Sequence, residues 1–278
     1  MAVDELPVVC FGDNCLDFYV TPIDRMLVGG SVLNVAVALS RRGLPAAYLG
    51  AVGADHAGRA VLAVLAAQRV DASHVRVDTE SATAETEIAL GPGGERRFLR
   101  ERYTIHEVYA PAEEEWAFIA RASHVHASRL PRHLVRLLTL GKDGISISYD
   151  FSAQELPTRL DGLELAFVPS ELLPSGADPE ASARELVERG ATCAVVTLGA
   201  EGSLAATASG SAAAEAVPLA SVLDTCGAGD AYIAAFIATY LTGKPLEVCL
   251  RRGAEAGAEA CAILGAFPQD PVSELALR

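Results

Sequence analysis

The sequence predicts an α/β fold in which helices cover a mainly parallel sheet. Three observations carry that expectation. Short apolar or β-branched runs alternate with longer stretches of helical periodicity, glycine or proline stands at most of the joins, and 278 residues are enough for one large domain with a sizeable core.

Taken in order, residues 8–11 read as a buried strand that ends at Gly12, with polar Asp13 and Asn14 just beyond. Residues 30–42 are helical: Val32, Leu33, Val35, Ala36, Val37 and Leu39 are apolar, and Gly43 is placed as a C-terminal stop. A strand over 48–52 and a helix over 56–69 continue the alternation. From 83 to 102 the period changes to two, through Glu85, Glu87 and Ile88, across the turn Gly91-Pro92-Gly93-Gly94, and back along Arg96, Phe98 and Arg100. That is a β-hairpin pattern. Because it interrupts the alternation it is expected outside the main sheet as part of a lid, with an ordinary edge hairpin as the alternative. The rhythm resumes with a helix at 112–121, a strand at 124–127, a helix at 132–140, strands at 145–150 and 163–168, a loop at 169–179, and a helix at 180–189 stopped by Gly190. Residues 193–198 form a strongly β-branched strand followed by a turn at 199–202, and the Ala- and Ser-rich stretch 205–216 reads as an exposed strand pair or loop.

Composition narrows the function. A net charge of −14 argues against nucleic acid as a partner, since that binding rests on Lys and Arg neutralising phosphates. A phosphate-bearing ligand must then be held locally, by backbone N–H groups at a helix N-terminus, a few basic side chains and a bound cation. No apolar run reaches the roughly 18 to 20 residues that span a bilayer, and the first strand begins too soon after Met1, without a basic flank, to belong to a signal peptide. A cytoplasmic protein with no membrane partner is expected. Cys10, Cys15, Cys193, Cys226, Cys249 and Cys261 sit mostly in apolar runs with no C-x-x-C pair, and are expected as reduced core thiols. His124 and His126 share one face of a strand, where a structural role is expected, and Trp116 is expected to anchor the core or a helix face.

The sharpest signal is Asp224-Thr225-Cys226-Gly227-Ala228-Gly229-Asp230. It stands directly before residues 231–241, which are apolar nearly all round and so form a buried helix that stops near Gly243 and Pro245. A buried helix opened by Gly-Ala-Gly presents unobstructed N–H groups and the positive end of its dipole to an oxyanion or phosphoryl group. Asp230 at that end would have its ionised form favoured, as a proton acceptor in phosphoryl transfer requires. On spacing alone, a capping aspartate beside a tight glycine turn explains the same residues.

This segment resembles the C-terminal signature D-T-x-G-A-G-D of the ribokinase-like, or PfkB, carbohydrate kinases. The resemblance runs from Val8 to about Phe267. It implies a three-layer α/β/α domain over residues 1–278 with a small β lid from segments near 17–28 and 83–104. It also implies that Gly227, Ala228 and Gly229 form an anion hole for the moving γ-phosphoryl group and that Asp230 is the catalytic base. Gly29-Gly30-Ser31-Val32-Leu33-Asn34 is similar to the family's G-G-x-x-x-N sugar signature, and Gly12-Asp13-Asn14-Cys15-Leu16-Asp17 to its strand-end segment. Substrate contacts are thereby implied for Asp13, Asp17, Gly29, Gly30 and Asn34. A polyol needs paired donors and acceptors on short side chains, which Asp17 and Asn34 supply. Ser31 stands where close relatives commonly carry asparagine.

Thr197-Leu198-Gly199-Ala200-Glu201-Gly202 resembles the family's T-L-G-x-x-G nucleotide loop. Nucleotide contacts are implied for Thr197, Gly199, Gly202 and Thr225, with residues 256–265 walling the adenine. Asp224 with Thr225 would help place a monovalent cation such as K+. The magnesium-organising N-x-x-E element is degraded to Val168-Pro169-Ser170-Glu171-Leu172-Leu173, which leaves Glu171 as the candidate to hold Mg2+ through water.

The implied activity is ATP-dependent phosphorylation of a primary hydroxyl on a sugar or sugar derivative, either a fructosamine such as fructoselysine or a ketose or pentose. Gly12-Asp13-Asn14-Cys15, Asn34-Val35-Ala36-Val37, Thr83-Ala84, Val125-His126-Ala127 and Asp150-Phe151-Ser152 are each similar to stretches in members that act on fructosamines. Arg96, Arg97 or Arg100 on the lid would then meet an acidic or amino-acid-linked substrate. A homodimer through the lid is also implied. A nucleoside kinase of the same fold shares Asp230, and a catalytically silent sugar-binding regulatory protein is the alternative outside enzymes, suggested by the degraded magnesium element.

Overall fold

The computed structural model describes residues 6–273, so both ends of the expected 1–278 domain lie outside the described residues. Strands β1 (Val8–Phe11), β2 (Cys15–Tyr19) and β3 (Arg25–Gly29) precede helix α1 (Ser31–Arg41), and β4 (Ala46–Leu49) and β5 (Ala51–Gly53) precede α2 (His56–Ala67). Next come β6 (Arg76–Asp78), β7 (Glu85–Leu90), β8 (Arg96–Arg102), α3 (Thr104–Val108), α4 (Glu113–Ile119), β9 (His124–Ser128), α5 (Pro131–Lys142) and β10 (Ile147–Asp150). The chain continues through β11 (Leu165–Pro169), α6 (Pro179–Glu188), β12 (Cys193–Thr197), β13 (Ser203–Thr207), β14 (Gly210–Ala214), α7 (Ala228–Tyr240) and α8 (Leu246–Ala260).

Eight strands form the main sheet in the order β14-β13-β12-β11-β10-β9-β1-β4. Pairing is parallel from β12 to β4, and β13 and β14 extend the edge as an antiparallel hairpin. Alternate residues of a strand feed two different cores. Val8 and Cys10 of β1 pack with residues of α1, α2, α7 and α8, whereas Val9 and Phe11 pack on the opposite face with residues of α4, α5 and α6. Both faces of the sheet are therefore covered, giving three layers, and this is why the strands read as continuous apolar runs.

A second, four-stranded sheet, ordered β3-β2-β7-β8, joins the hairpin to the segment between β1 and α1. Its Tyr19, Leu27 and Ile88 pack against Cys226, in the loop before α7. The expected strand over 48–52 is broken at Gly50: β4 stays in the main sheet, while β5 leaves it to pair with β6. A side chain at Gly50 would lie 2.7 Å from the Gly12 carbonyl, so the break is also a close backbone approach. Helix α7 begins at Ala228, earlier than its apolar run suggested, and α8 was not read from the sequence at all.

The remaining expectations concern packing. All six cysteines are free and buried. Trp116 packs edge-on against Phe11, with ring centroids 5.6 Å apart. His124 pairs with the hydroxyls of Ser146 and Ser148 at 2.8 Å each and His126 with Ser148 at 2.9 Å, and burial lowers both imidazoles to about 3, leaving them neutral core groups. Among the described residues no helix is long and apolar enough to cross a membrane.

Candidate active site

Two helix N-termini and several strand ends meet at one place. Ser31 Oγ of α1 donates to Asp230 Oδ1 at 2.8 Å, and Asn34 Nδ2, one turn along the same helix, donates to Asp230 Oδ2 at 2.7 Å. The first turns of α1 and α7 are thus joined through the Asp230 carboxylate. Burial raises its pKa to about 6, the Asn34 and Ser31 hydrogen bonds hold it down, the Asp150 charge raises it, and Arg96 lowers it. The sequence argument expected the helix end to favour the ionised form. Desolvation outweighs that effect, and the result is a carboxylate poised just below neutral pH, the range that suits a general base.

The turn before α7 can only be built with glycine. Gly227 has φ +75°, and a Cβ there would fall 2.3 Å from the Ala266 Cβ. The backbone N–H groups of Gly227, Gly229 and Asp230 have no acceptor among the described residues, as expected at a helix start. Nothing lies within 4 Å of a Cβ placed on Gly229. Unpartnered N–H groups at a helix start are the kind of donors that can receive an anion.

The loop leading into this turn is tied down by Asp224, which has no exposed surface. Its Oδ1 accepts from the Cys226 N–H at 2.8 Å, and its Oδ2 accepts from the Tyr19 hydroxyl at 2.6 Å and the Gly265 N–H at 2.8 Å. Both oxygens therefore hold protein donors. Thr225 is bound to the tip of the hairpin: its N–H donates to the Gly94 carbonyl at 3.0 Å, its hydroxyl accepts from the Arg96 N–H at 3.3 Å, and its carbonyl accepts from Arg96 Nη1 at 2.7 Å.

At the start of α1, Gly30 has φ +106°, and a Cβ would fall 2.4 Å from the Asn14 Cα. Asp13 caps this helix across the loop, accepting from the Val32 N–H at 3.0 Å and the Ser31 N–H at 3.2 Å. Asp17 packs against Gly29, where a Cβ would meet its Oδ2 at 2.1 Å, and accepts from Cys15 Sγ at 3.0 Å. Burial pushes the Asp17 carboxyl up to about 7, with the Asp13 and Asp224 charges adding to the rise and the Cys15 hydrogen bond and Arg96 opposing it. Asn34 gives its amide to Asp230, yet its buried carbonyl oxygen has no partner. An orphan acceptor on Asn34 and a buried Asp17 carboxylate with one side-chain donor are groups that the hydroxyls of a ligand can complete.

The other expected residues sit further along the same edge of the sheet. Pro169 and Thr197 pair in register, so the turn bearing Glu171 and the loop bearing Gly199 leave neighbouring strand ends. Gly199 and Gly202 both have positive φ, at +57° and +103°, and a Cβ on Gly202 would collide with the Ala214 carbonyl at 2.2 Å. Glu171 is exposed in a single 3₁₀ turn, Ser170–Leu172. Among the described residues no group of three or more His, Cys, Asp or Glu side chains forms a metal cage.

The hairpin arginines divide between two faces. Arg100 faces Glu87 at 3.6 Å and Arg102 pairs with Glu85 on one side of the small sheet, while Arg96 reaches the loop before α7 on the other. A groove of about 680 Å³ opens beside Arg100 and Arg102, lined also by Phe18, Met26 and Val272, and Asp230 is not among its lining residues. Sequence reasoning missed Ser31 as a partner of Asp230 and Tyr19 as a partner of Asp224. The first was visible only as a departure from the usual asparagine, and the second needs a contact across 205 residues that no local pattern encodes.

Comparison with known proteins identifies the family. The pfkB family carbohydrate kinase description matches residues 24–150 and 162–270. The chain is 29% identical to the fructosamine kinase FrlD of Bacillus subtilis (strain 168), covering 94% of this chain and 93% of that one. It is 30% identical to fructoselysine 6-kinase of Escherichia coli (strain K12), covering 92% and 97%. The structure of Arabidopsis thaliana ribokinase complexed with ribose and ATP superposes with a TM-score of 0.83 over 94% of each chain at 22% identity, which speaks to the fold.

Proposed function

The chain belongs to the pfkB family of carbohydrate kinases, and from that premise we propose that it transfers the γ-phosphoryl group of ATP to a primary hydroxyl of a fructosamine, with Asp230 as the base. The observation that carries the reading is the placement of Asp230. Its carboxylate is oriented by Ser31 and Asn34 at the mouth of an unpartnered helix N-terminus.

In this reading the acceptor hydroxyl donates to Asp230, and the proton passes to the carboxylate as the hydroxyl oxygen bonds to phosphorus and the bond to ADP breaks. The N–H groups of Gly227, Gly229 and Asp230 stabilise the charge on the moving group, with Ala228 setting the turn. Because such transition states are loose, positioning and electrostatics supply most of the acceleration. Asp17 and the free carbonyl of Asn34 accept sugar hydroxyls, while Asp13, Gly29 and Gly30 fix the helix that carries Asn34. Thr197, Gly199, Gly202 and Thr225 line the nucleotide side. When bound, Mg2+ would neutralise phosphate charge, and Glu171, exposed at the neighbouring strand end, would be the side chain to hold its waters. With both Asp224 oxygens engaged, K+ would be met by carbonyls of this loop rather than by that carboxylate. The small sheet serves as the lid, and its outer face as the contact between two copies.

The test is ADP release from Mg-ATP across sugars, fructosamines and nucleosides, comparing wild type with Asp230→Asn. Turnover on a fructosamine that falls by about 10² to 10⁴ in the variant is the expected result. Turnover on nucleosides alone would reassign the substrate, and an undiminished Asp230→Asn enzyme would remove the base.

A further inference from the structure

Arg129 is the residue of this edge that the mechanism leaves unused. It follows β9 directly, and β9 runs beside β1 with Ala127 level with Phe11, so Arg129 and Asp13 emerge from adjacent strand ends. Its φ is +55°, a left-handed conformation that disfavours any residue with a Cβ. Strain at such a position points to a side chain that must be where it is. The guanidinium lies over the Tyr103 ring, 4.6 Å from its centroid, and the Tyr103 hydroxyl is fixed 3.2 Å from Thr86.

The fork is held but not satisfied. Nε is 3.6 Å from Asp13 Oδ2 and Nη2 is 3.5 Å from Glu101 Oε1. Both distances exceed the roughly 2.7 to 2.9 Å of a strong charge-assisted hydrogen bond, and Nη1 has no partner among the described residues. An arginine required only to neutralise Asp13 would close on it bidentately. Here a planar donor set is pre-positioned with capacity for a second carboxylate.

Glu101 places this pair relative to the sugar site. Asp17, Thr86 and Glu101 are successive partners across β2, β7 and β8, so they share one face of the small sheet. Two strand spacings put Glu101 on the order of 10 Å from Asp17, further than a sugar ring alone fills. The geometry offers a cation and an anion side by side, beyond the sugar and open on the same face.

We propose that Arg129 and Glu101 are specificity-determining residues that receive the zwitterionic α-amino-acid group of the phosphoacceptor, its carboxylate on Arg129 and its ammonium on Glu101. The assignment rests on the fructosamine kinase reading. It moves the acidic-substrate contact away from Arg97 and Arg100, the second of which faces Glu87 on the other side of the sheet.

The experiment compares four acceptors: fructose joined to lysine, fructose joined to glycine, fructose joined to a simple alkylamine, and fructose itself. Wild type, Arg129→Met, Arg129→Gly and Glu101→Gln are assayed for kcat and KM, with melting temperature measured in parallel. Both arginine variants are expected to lower the kcat/KM ratio of amino-acid-linked over alkylamine-linked acceptor by at least about tenfold, mainly through KM. Arg129→Gly suits the left-handed backbone and should fold at least as well as wild type, which separates lost recognition from lost stability. Equal losses on all acceptors, or an unchanged ratio, would overturn the assignment and leave the kinase reading standing. Failure of wild type to phosphorylate any of the three fructosamines would instead strike the fructosamine reading itself.

Discussion

Ser31→Ala removes one of the two side-chain hydrogen bonds on the Asp230 carboxylate and leaves the other, from Asn34, in place. A hydrogen bond to a charged group contributes about 1.5 to 3 kcal/mol, and one pKa unit corresponds to about 1.4 kcal/mol, so the pKa should rise by about one to two units. From its starting value of about 6, Asp230 would then titrate between about 7 and 8. The ionised fraction at pH 7 would drop from about 0.9 to between about 0.5 and 0.1, while at about pH 9 it would stay near 0.9 or above. The assay is the pH profile of kcat/KM on the best acceptor. The acid limb should move up by about one to two units, with a loss of about two- to tenfold at pH 7 that disappears toward pH 9. An acid limb that stays put, or a loss equal at all pH values, would refute the idea that Ser31 tunes Asp230.

Two glycine substitutions should part stability from activity. Gly229→Ala meets nothing within 4 Å and lies in the first helical turn, so it should stabilise by about 0.5 to 1 kcal/mol in a denaturant melt while cutting activity at least about tenfold, because the methyl group stands before the anion-binding N–H groups. Gly227→Ala, at φ +75° and against Ala266, should instead destabilise by about 1 to 3 kcal/mol or more. Asp17→Asn tests linkage. The folded carboxyl titrates at about 7, above the usual carboxylate range, so the folded state binds the extra proton and this group's contribution worsens as pH rises from about 4 to 7. The variant should melt higher than wild type at about pH 8, by up to about 4 kcal/mol, with the gain vanishing near pH 4 and activity lost throughout. A gain independent of pH would mean that Asp17 is not the buried charge.

The alternation of strands and helices was legible because both faces of the main sheet are buried, and burial imprints long apolar runs. The glycine turn before α7 was legible too, since Gly227, at φ +75°, answers a local backbone demand that a short segment must state. Strands β2 and β3 were expected only through the family resemblance, as a lid segment near 17–28: polar Asp17 and the turn at Pro22 and Asp24 break the pattern, and the pairing of β2 with β7 joins segments about 70 residues apart. Helix α8 was hidden by its low hydropathy and by Gly253 and Gly257, residues poor in helical propensity that packing against Tyr232 and Ala228 requires. The structural bonds of Asp13 and Asp224 were not legible for one reason. A sequence reports that a carboxylate is present, whereas its free valence depends on backbone N–H groups delivered by distant segments.

Thr225 is bonded through its N–H, hydroxyl and carbonyl to Gly94 and Arg96, at the hairpin tip. Lifting β8 away from the body therefore breaks three contacts on the residue that leads into the glycine turn before α7, at about 1 kcal/mol net each. On the proposed function, closure over the acceptor and assembly of the receptor would be one event. A nucleotide bound alone would then face a loosened Thr225 and a receptor out of register, and ATP consumption would be matched to acceptor phosphorylation through the backbone of a single threonine.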